Sequence, residues 1–291
     1  MTPFAKDLII QLHQTPGLRL TAILEMARVP PTTRERLIEH FQEAAYPLLS
    51  QPCFANLRDI GPWLFSSGQR LSVDSQYDLH CTLVEIAGDV PCAWLLSALE
   101  PPLLARHLGQ AAAARAPDGD TYLLRFYSEQ AFPVLHARHD LPGIAELLAP
   151  IHSWWALEPH ERRNSWRHYS GGHRPEQHGV LTLRLDQACW DALSGESLCF
   201  QLAELLREDV APGNPVRGQG VRLARVRRLL AEAHENGVHR PADQKDYVIF
   251  MTRHGPDLGA SPAWQAALTD VRDAAQPLAL ALKQRLFRNS K

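Results

Sequence analysis

The sequence predicts an α+β fold: an N-terminal α/β lobe with a small mixed sheet, followed by a helical C-terminal lobe. Short apolar runs at residues 92–96 and 122–127 flank a helical pattern at residues 101–114. A strand, a helix and a second strand within ~35 residues indicate a βαβ-like unit, which is typical of an α/β lobe. From Asp186 onward, apolar residues recur at helical spacing, and glycine-containing turns separate the segments.

Length and composition bound the class of protein. The chain has 291 residues, of which 45% are hydrophobic and 21% charged, as in an ordinary globular protein of one large domain or two lobes. A net charge of −2 gives no overall attraction to nucleic acid or to an anionic membrane. No uncharged apolar run approaches the ~20 residues that span a bilayer. The five cysteines lack paired spacing, which is typical of reduced thiols. We therefore expect a cytoplasmic protein that binds neither nucleic acid nor membrane.

Residues 1–44 are predicted to form an N-terminal helical extension. Apolar residues recur at helical spacing within residues 4–28 and again within residues 32–44. Pro30-Pro31 separates the two helices, because proline is tolerated in the first turn of a helix but interrupts its interior.

Residues 45–157 are predicted to form the α/β lobe. After a short strand at residues 46–49, a helix begins at Asp74 or Ser75, both of which can cap its first turn. Gly88 is expected to end this helix, because glycine readily takes the left-handed conformation of a helix end. The strand–helix–strand unit described above follows, and another short helix completes the lobe.

The strand at residues 122–127 carries the most informative residue of this lobe. It follows a turn signal, Asp118-Gly119, and its alternation places Arg125 and Tyr127 on the same side. A guanidinium inside an apolar run needs a carboxylate or a carbonyl partner. We therefore predict that Arg125 is buried and paired with a carboxylate, in a structural ion pair rather than a catalytic site.

Tryptophan, histidine and arginine dominate the boundary between the lobes, where we predict a connecting segment at residues 158–180. Just before it, Trp154 and Trp155 are expected to lie one on each face of a terminal strand. Three residues of the segment are candidates for partner binding: Trp166, Arg163 and Arg167. Trp166 is expected to be partly exposed, because the flanking Arg163 and Arg167 interrupt any apolar stripe there. It would then be available to a partner, since tryptophan and arginine contribute most to interface energetics.

Residues 181–291 are predicted to form the helical lobe. Asp186 can cap its first helix, and Gly255-Pro256 is expected to end a later one. Arginines spaced three apart share one face of a helix, and these are Arg222, Arg225 and Arg228. They form either a solvated helix face or a docking surface for an acidic partner.

Parts of the α/β lobe and of the helical lobe resemble a known family, the effector chaperones of type VI secretion. The first similarity lies in Gly119, in Leu124-Arg125-Phe126-Tyr127 and in the helix predicted after them. Further similar elements are Gly61-Pro62-Trp63-Leu64, residues 233–238 and residues 253–257. The resemblance covers residues ~45–275. It implies a cytoplasmic adaptor that binds one toxin, the effector, and delivers it to the VgrG spike protein.

Other motifs point to enzymes. The run that ends in Arg253-His254-Gly255 looks like the histidine phosphatase signature, so a hydrolase of that type is the alternative function. That fold needs a long α/β chain after the motif, whereas only 36 residues of the 291 follow Gly255. His136 and His139 lie at helical spacing, but a zinc site needs three or four convergent ligands. We therefore expect no catalytic residue, no cofactor and no metal.

Overall fold

The chain divides into two compact units. The computed structural model describes residues 3–68, 71–88, 90–158, 160, 165–177, 181–194, 197–206, 219–274 and 276–288. The first unit comprises Met1–Glu158 and Asn164–Gly195, and the second comprises Pro159–Arg163 and Glu196–Lys291. The fold is α+β, as predicted, with the sheets in the N-terminal part and a helical C-terminal part.

The strands and helices of the described residues follow one another along both units. The strands are β1 (Arg19–Glu25), β2 (Ala45–Pro47), β3 (Pro62–Ser66), β4 (Pro91–Ser97), β5 (Ala113–Arg115), β6 (Thr121–Leu123), β7 (Ile151–Glu158), β8 (Ser165–Ser170) and β9 (Leu183–Arg184). The helices of the first unit are α1 (Pro3–Gln14), α2 (Pro31–Phe41), α3 (Val73–Ala87), α4 (Pro101–Gln110), α5 (Ala131–Ala137), α6 (Pro142–Leu148) and α7 (Gln187–Ser194). Those of the second unit are α8 (Ser197–Leu205), α9 (Gln219–Glu235), α10 (Pro241–Gly259), α11 (Pro262–Ala274) and α12 (Leu278–Arg288).

A six-stranded antiparallel sheet organises the first unit, in the order β2-β3-β1-β4-β7-β8. Helices cover both of its faces: α1, α2 and α3 pack on one, and α4, α5 and α6 on the other. Successive side chains of β1 alternate between the two cores, so that Ile23 joins one and Leu24 the other.

The prediction of one helix over residues 4–28 is wrong in its second half. α1 ends at Gln14, and residues 19–25 form β1, which pairs with β3 on one side and β4 on the other. Both faces of β1 are buried, so its residues 20–24 are apolar except for Thr21, and periodicity cannot distinguish such a run from a buried helix. Residues 1–44 therefore supply an inner strand of the sheet and are not solely a helical extension.

Trp154 and Trp155 lie on opposite faces of β7, as expected, and both are buried. The ring of Trp154 stacks on Phe132 of α5 at a centroid distance of 4.1 Å. Trp155 packs against Phe4 of α1 and donates its indole N–H to Asp7 at 3.1 Å. β7 is not the terminal strand, however, because β8 pairs along its outer side.

A second sheet has three strands in the order β6-β5-β9, with β5 and β9 parallel. The predicted βαβ-like unit is therefore wrong, because β4 lies in the first sheet and β6 in the second. The strand predicted at residues 122–127 ends at Leu123. A turn follows, in which Ser128 donates its backbone N–H to the carbonyl of Arg125 at 2.9 Å. The turn breaks the alternation, so that Phe126 and Tyr127 are both buried.

Several helix ends lie where the sequence predicts them. Gly88 follows the last residue of α3 with a φ of 59°, and Asp186 accepts the backbone N–H of Cys189 at 2.9 Å at the start of α7. At the predicted helix end within α10, Gly255 has a non-helical backbone, with a φ of 62° and a ψ of −153°. One helical segment ends at this kink, and a second continues to Gly259.

The unit boundaries differ from the predicted ones in two places. Most of the predicted connecting segment, residues 158–180, belongs to the first unit, where β8 extends the large sheet. β9 and α7 also belong to the first unit, although they fall within the predicted helical lobe. Among the described residues, none of the helices combines the length and the apolar character that crossing a membrane requires.

Candidate functional site

A network of charged side chains lies where β1 ends, in the first unit. Glu25, the last residue of β1, is buried, and its Oε2 accepts a hydrogen bond from Arg125 Nε at 3.1 Å. The same oxygen accepts the hydroxyl of Tyr127. The guanidinium of Arg125 also lies 6.0 Å from the centroid of the Tyr127 ring. Through these hydrogen bonds Glu25 links the turn after β6 to the large sheet.

A second ion pair adjoins the first. Arg28 donates from its NH2 group to Oε1 of Glu129 at 3.3 Å, and the Glu129 side chain is 1% exposed. The NH1 group of Arg28 lies 3.9 Å from the sulfur of Cys92, at the start of β4. The other carboxylate oxygen of Glu129 is buried and has no hydrogen-bond partner among the described residues. Burying an ion pair is costly, and removing one partner would leave an uncompensated charge.

The electrostatics of the network hold its arginines in the charged form. Burial lowers the pKa of Arg28, but Cys92 and Glu129 outweigh this effect and the pKa is raised overall. Arg125 behaves in the same way, with Glu25 and Tyr127 raising its pKa. Burial and then the charge of Glu25 raise the pKa of the Tyr127 hydroxyl, which therefore stays protonated as a hydrogen-bond donor. Burial also raises the pKa of the Cys92 thiol.

Local structure explains why the turn from Leu124 to Gln130 holds these residues. The hydroxyl oxygen of Ser128 accepts the backbone N–H of Ala131, the first residue of α5, at 3.1 Å. Phe126 packs edge-on against Trp154 and thereby anchors the turn in the core. The carboxylate partner that the sequence predicts for Arg125 is Glu25.

The predicted burial of Arg125 is wrong, since its side chain is 48% exposed. The turn points Tyr127 inward and leaves Arg125 at the surface, whereas a continuous strand would have placed them side by side. The result is a guanidinium that is fixed in position by a buried carboxylate and remains accessible from outside. Such a group can bind a carboxylate of a partner without losing much side-chain entropy.

Two of the three predicted partner-binding residues of the boundary, Trp166 and Arg167, lie in β8. Trp166 is half-buried, and its ring packs against Phe4 at 5.4 Å and Trp94 at 6.4 Å. Arg167 is exposed and lies over the ring of Tyr169 at 5.4 Å. Arg163 lies outside the described residues. Trp166 is thus partly exposed, as expected, and also contributes to the packing of α1 on the sheet.

The predicted arginine face lies on α9, in the second unit, and only part of it is a surface. Arg222 and Arg225 are half-buried and donate to backbone carbonyls, of Ala203 in α8 at 3.1 Å and of Thr252 in α10 at 3.5 Å. Arg228 is exposed and pairs with Glu232 one turn along the helix. Two of the three arginines therefore connect helices of the second unit.

The residues of the alternative, hydrolytic hypothesis lie on α10. Arg253 and His254 are exposed and sit on a helix next to its kink, whereas a histidine phosphatase carries its motif on a strand. His136 contacts the carbonyl oxygen of Ser170 at 3.0 Å, and His139 contacts that of His136 at 3.0 Å. Within the described ranges, no group of three or more His, Cys, Asp or Glu side chains could hold a metal ion.

Sequence reasoning did not identify three members of the network: Glu25, Arg28 and Cys92. The segment that contains Glu25 and Arg28 is predicted as a helix, and a helix there does not place either residue near Arg125. The available signal was Glu25 itself, a carboxylate that directly follows the apolar run of residues 20–24. Such a residue is a natural partner for an arginine that needs one.

One comparison with known proteins gives a match. A family model described as "Domain of unknown function (DUF4123)" matches residues 22–146. The charged network lies entirely within this segment, from Glu25 at the end of β1 to Glu129 in the turn before α5. No curated protein and no solved structure matches the chain.

Proposed function

We propose that this protein is a non-catalytic adaptor of type VI secretion, which binds one toxin in the cytoplasm and hands it to the VgrG spike protein. The observation that carries the proposal is the family match over residues 22–146, because that domain occurs in type VI secretion effector adaptors. The resemblance at Gly61-Pro62-Trp63-Leu64 and at Leu124-Arg125-Phe126-Tyr127 falls inside the same segment.

The geometry supports a binding role for this segment. The charged network within it consists of two ion pairs, Arg125 with Glu25 and Arg28 with Glu129. Side chains that are paired in this way suit a structural role better than acid–base catalysis. An ion-paired arginine is a poor proton donor, and the carboxylate that it binds is a poor proton acceptor. Arg125 alone among these four extends far into solvent, at 48% exposure of its side chain. A fixed and accessible arginine is a typical anchor of a protein interface.

The proposal is tested by purifying the tagged full-length protein from its native cells and quantifying the co-purifying proteins by mass spectrometry. We expect one toxin-like protein and a VgrG protein to be enriched over an untagged control. Arg125→Gln should reduce the recovery of the toxin, whereas Arg272→Gln, at an exposed arginine of the second unit, should not. Enrichment of neither a toxin nor a spike protein would overturn the proposal.

A further inference from the structure

The backbone register shows which groups of β6 face away from its sheet. Next to the β5–β6 pair, Leu124 donates its backbone N–H to the carbonyl of Ala112 at 2.8 Å, and Ala116 donates its own to the carbonyl of Asp120 at 2.9 Å. In an antiparallel pair, residues that exchange hydrogen bonds alternate with residues that do not. Tyr122 therefore bonds to β5, whereas Thr121 and Leu123 direct their N–H and C=O groups to the outer edge.

The neighbouring strand confirms this register. The alternation that turns Thr121 and Leu123 outward also turns Arg115 of β5 away from β6 and towards β9. Leu185, which follows β9, donates its N–H to the carbonyl of Arg115 at 2.9 Å, as the register requires. The described residues contain no strand paired with the outer edge of β6. This edge therefore presents two N–H and two C=O groups for a further strand.

Side chains beside this edge indicate what can bind there. Tyr122 and Leu123 are exposed, at 41% and 44%, although they are large and apolar. Arg125, fixed by Glu25 and 48% exposed, lies two residues beyond Leu123. The other end of β6 is acidic, with the carboxylate of Asp118 accepting the Tyr122 hydroxyl at 2.9 Å. The edge thus has an acidic end at Asp118, an apolar middle and a cationic end at Arg125.

We propose that the outer edge of β6 binds an extended segment of the toxin, which adds a fourth strand to the second sheet and places an Asp or Glu side chain against Arg125. The inference rests on the proposed function for the identity of the partner. Backbone hydrogen bonds to Thr121 and Leu123 supply affinity that does not depend on side chains. The carboxylate at Arg125 sets the register, because a charge-assisted bond forms in only one alignment. The complementary charge favours an acidic segment over a neutral one.

Two substitutions separately test the backbone hydrogen bonds to β6 and the ion pair at Arg125 that the proposal requires. Leu123→Pro removes an N–H that faces outward and is not used by β5, and an edge strand tolerates proline at such a position. Arg125→Gln removes the charge. The matched control is His168→Pro in β8, where the bond from Gly171 N–H to His152 O at 3.0 Å sets a register that also turns His168 outward. If Leu123→Pro lowers the melting temperature, Thr121→Pro is used as the test variant instead, because the N–H of Thr121 also faces outward.

The probe is a phage-displayed library of random peptides of about nine residues, selected on the full-length protein. We expect selected peptides to carry an Asp or Glu among β-branched residues. Leu123→Pro and Arg125→Gln should each weaken their binding at least about tenfold, and His168→Pro should not. Three results would overturn the proposal: no selected peptide, peptides insensitive to Leu123→Pro, or a wild-type dimer that Leu123→Pro dissociates, which would assign the edge to a second copy.

The same variants separate this inference from the proposed function. If the toxin co-purifies equally with wild-type protein and with Leu123→Pro, the adaptor function stands and the edge of β6 is not its docking site. If the wild-type protein recovers no toxin, the adaptor function fails whatever the peptides show. Loss of the toxin in Leu123→Pro, with retention in His168→Pro, supports both.

Discussion

Arg125 donates its Nε–H to Glu25 at 3.1 Å, across a separation of 100 residues along the chain. The bond joins the end of an inner strand of the large sheet to the turn that follows the small sheet. Since Glu25 is buried and Arg125 is half-exposed, the pair has an inner, fixed member and an outer, accessible one. That asymmetry determines how each residue should respond to substitution.

Arg125→Ala should destabilise the protein moderately. Breaking a fully buried pair costs about 3–5 kcal/mol, but solvent reaches this arginine and Tyr127 still donates to Glu25. We therefore expect a loss of ~1–2 kcal/mol in the free energy of unfolding, or a few degrees in melting temperature. Arg167→Ala, at an exposed arginine on the same unit, is the control and should shift the melting temperature less. Equal shifts in the two variants would show that the pair with Glu25 adds no stability.

Arg28 and Glu129 should show strong coupling. Arg28→Met leaves the carboxylate of Glu129 buried without its partner, which should cost about 3–5 kcal/mol. Arg28→Met combined with Glu129→Leu removes both charges and should recover most of that loss. Urea denaturation of Arg28→Met, of Glu129→Leu and of the double variant measures the coupling energy. Additive losses would mean that the two side chains stabilise the fold independently.

Trp166→Ala should lower the melting temperature as well as affect partner binding. The ring packs on Phe4 and Trp94, so its removal leaves a gap between α1 and the sheet. Because Trp166 is half-buried, we expect a loss of ~1–3 kcal/mol, below the 3–5 of a buried aromatic residue. Trp166→Phe keeps most of the contacts and should restore the melting temperature. An unchanged melting temperature in Trp166→Ala would show that the contacts with α1 are dispensable.

Stability should fall at acidic pH because of His80 on α3. Burial lowers the pKa of this histidine, whose ring lies 5.0 Å from Trp94 and 5.5 Å from Phe4. The unfolded chain, with a histidine pKa of about 6.5, then binds more protons than the folded one. The stabilising contribution is complete above that pKa and is lost as the pH falls below it. Melting temperatures at pH 7.5 and 5.5 should differ less in His80→Phe than in the wild type. An equal difference would assign the acid sensitivity to other groups.

Local signals in the sequence predicted much of the helical structure. Gly88 ends α3 and Asp186 caps α7 because each acts within its own turn, and the sequence shows such effects directly. The strand at residues 19–25 could not be distinguished from a helix, because β1 is buried on both faces and shows no alternation. Pairing across the sheet depends on distant residues, so the small and large sheets could not be separated.

The candidate site was predictable in one respect only. An arginine within an apolar run indicates a carboxylate partner, and that partner exists. Its identity required the position of β1, which the helix prediction concealed. The exposure of Arg125 depended on the turn after Leu123, since one break in the alternation reverses which side chains face inward. Trp154 and Trp155 followed from alternation because their strand is regular.

The most direct test of the adaptor function is the dependence of toxin delivery on this protein. The amount of the co-purifying toxin outside the cell is measured in the parent strain, in a strain that lacks the protein, and in that strain complemented with wild type or with Arg125→Gln. The adaptor function predicts that delivery disappears without the protein, returns with the wild type and returns only in part with Arg125→Gln. Undiminished delivery of the toxin in the strain that lacks the protein would contradict it.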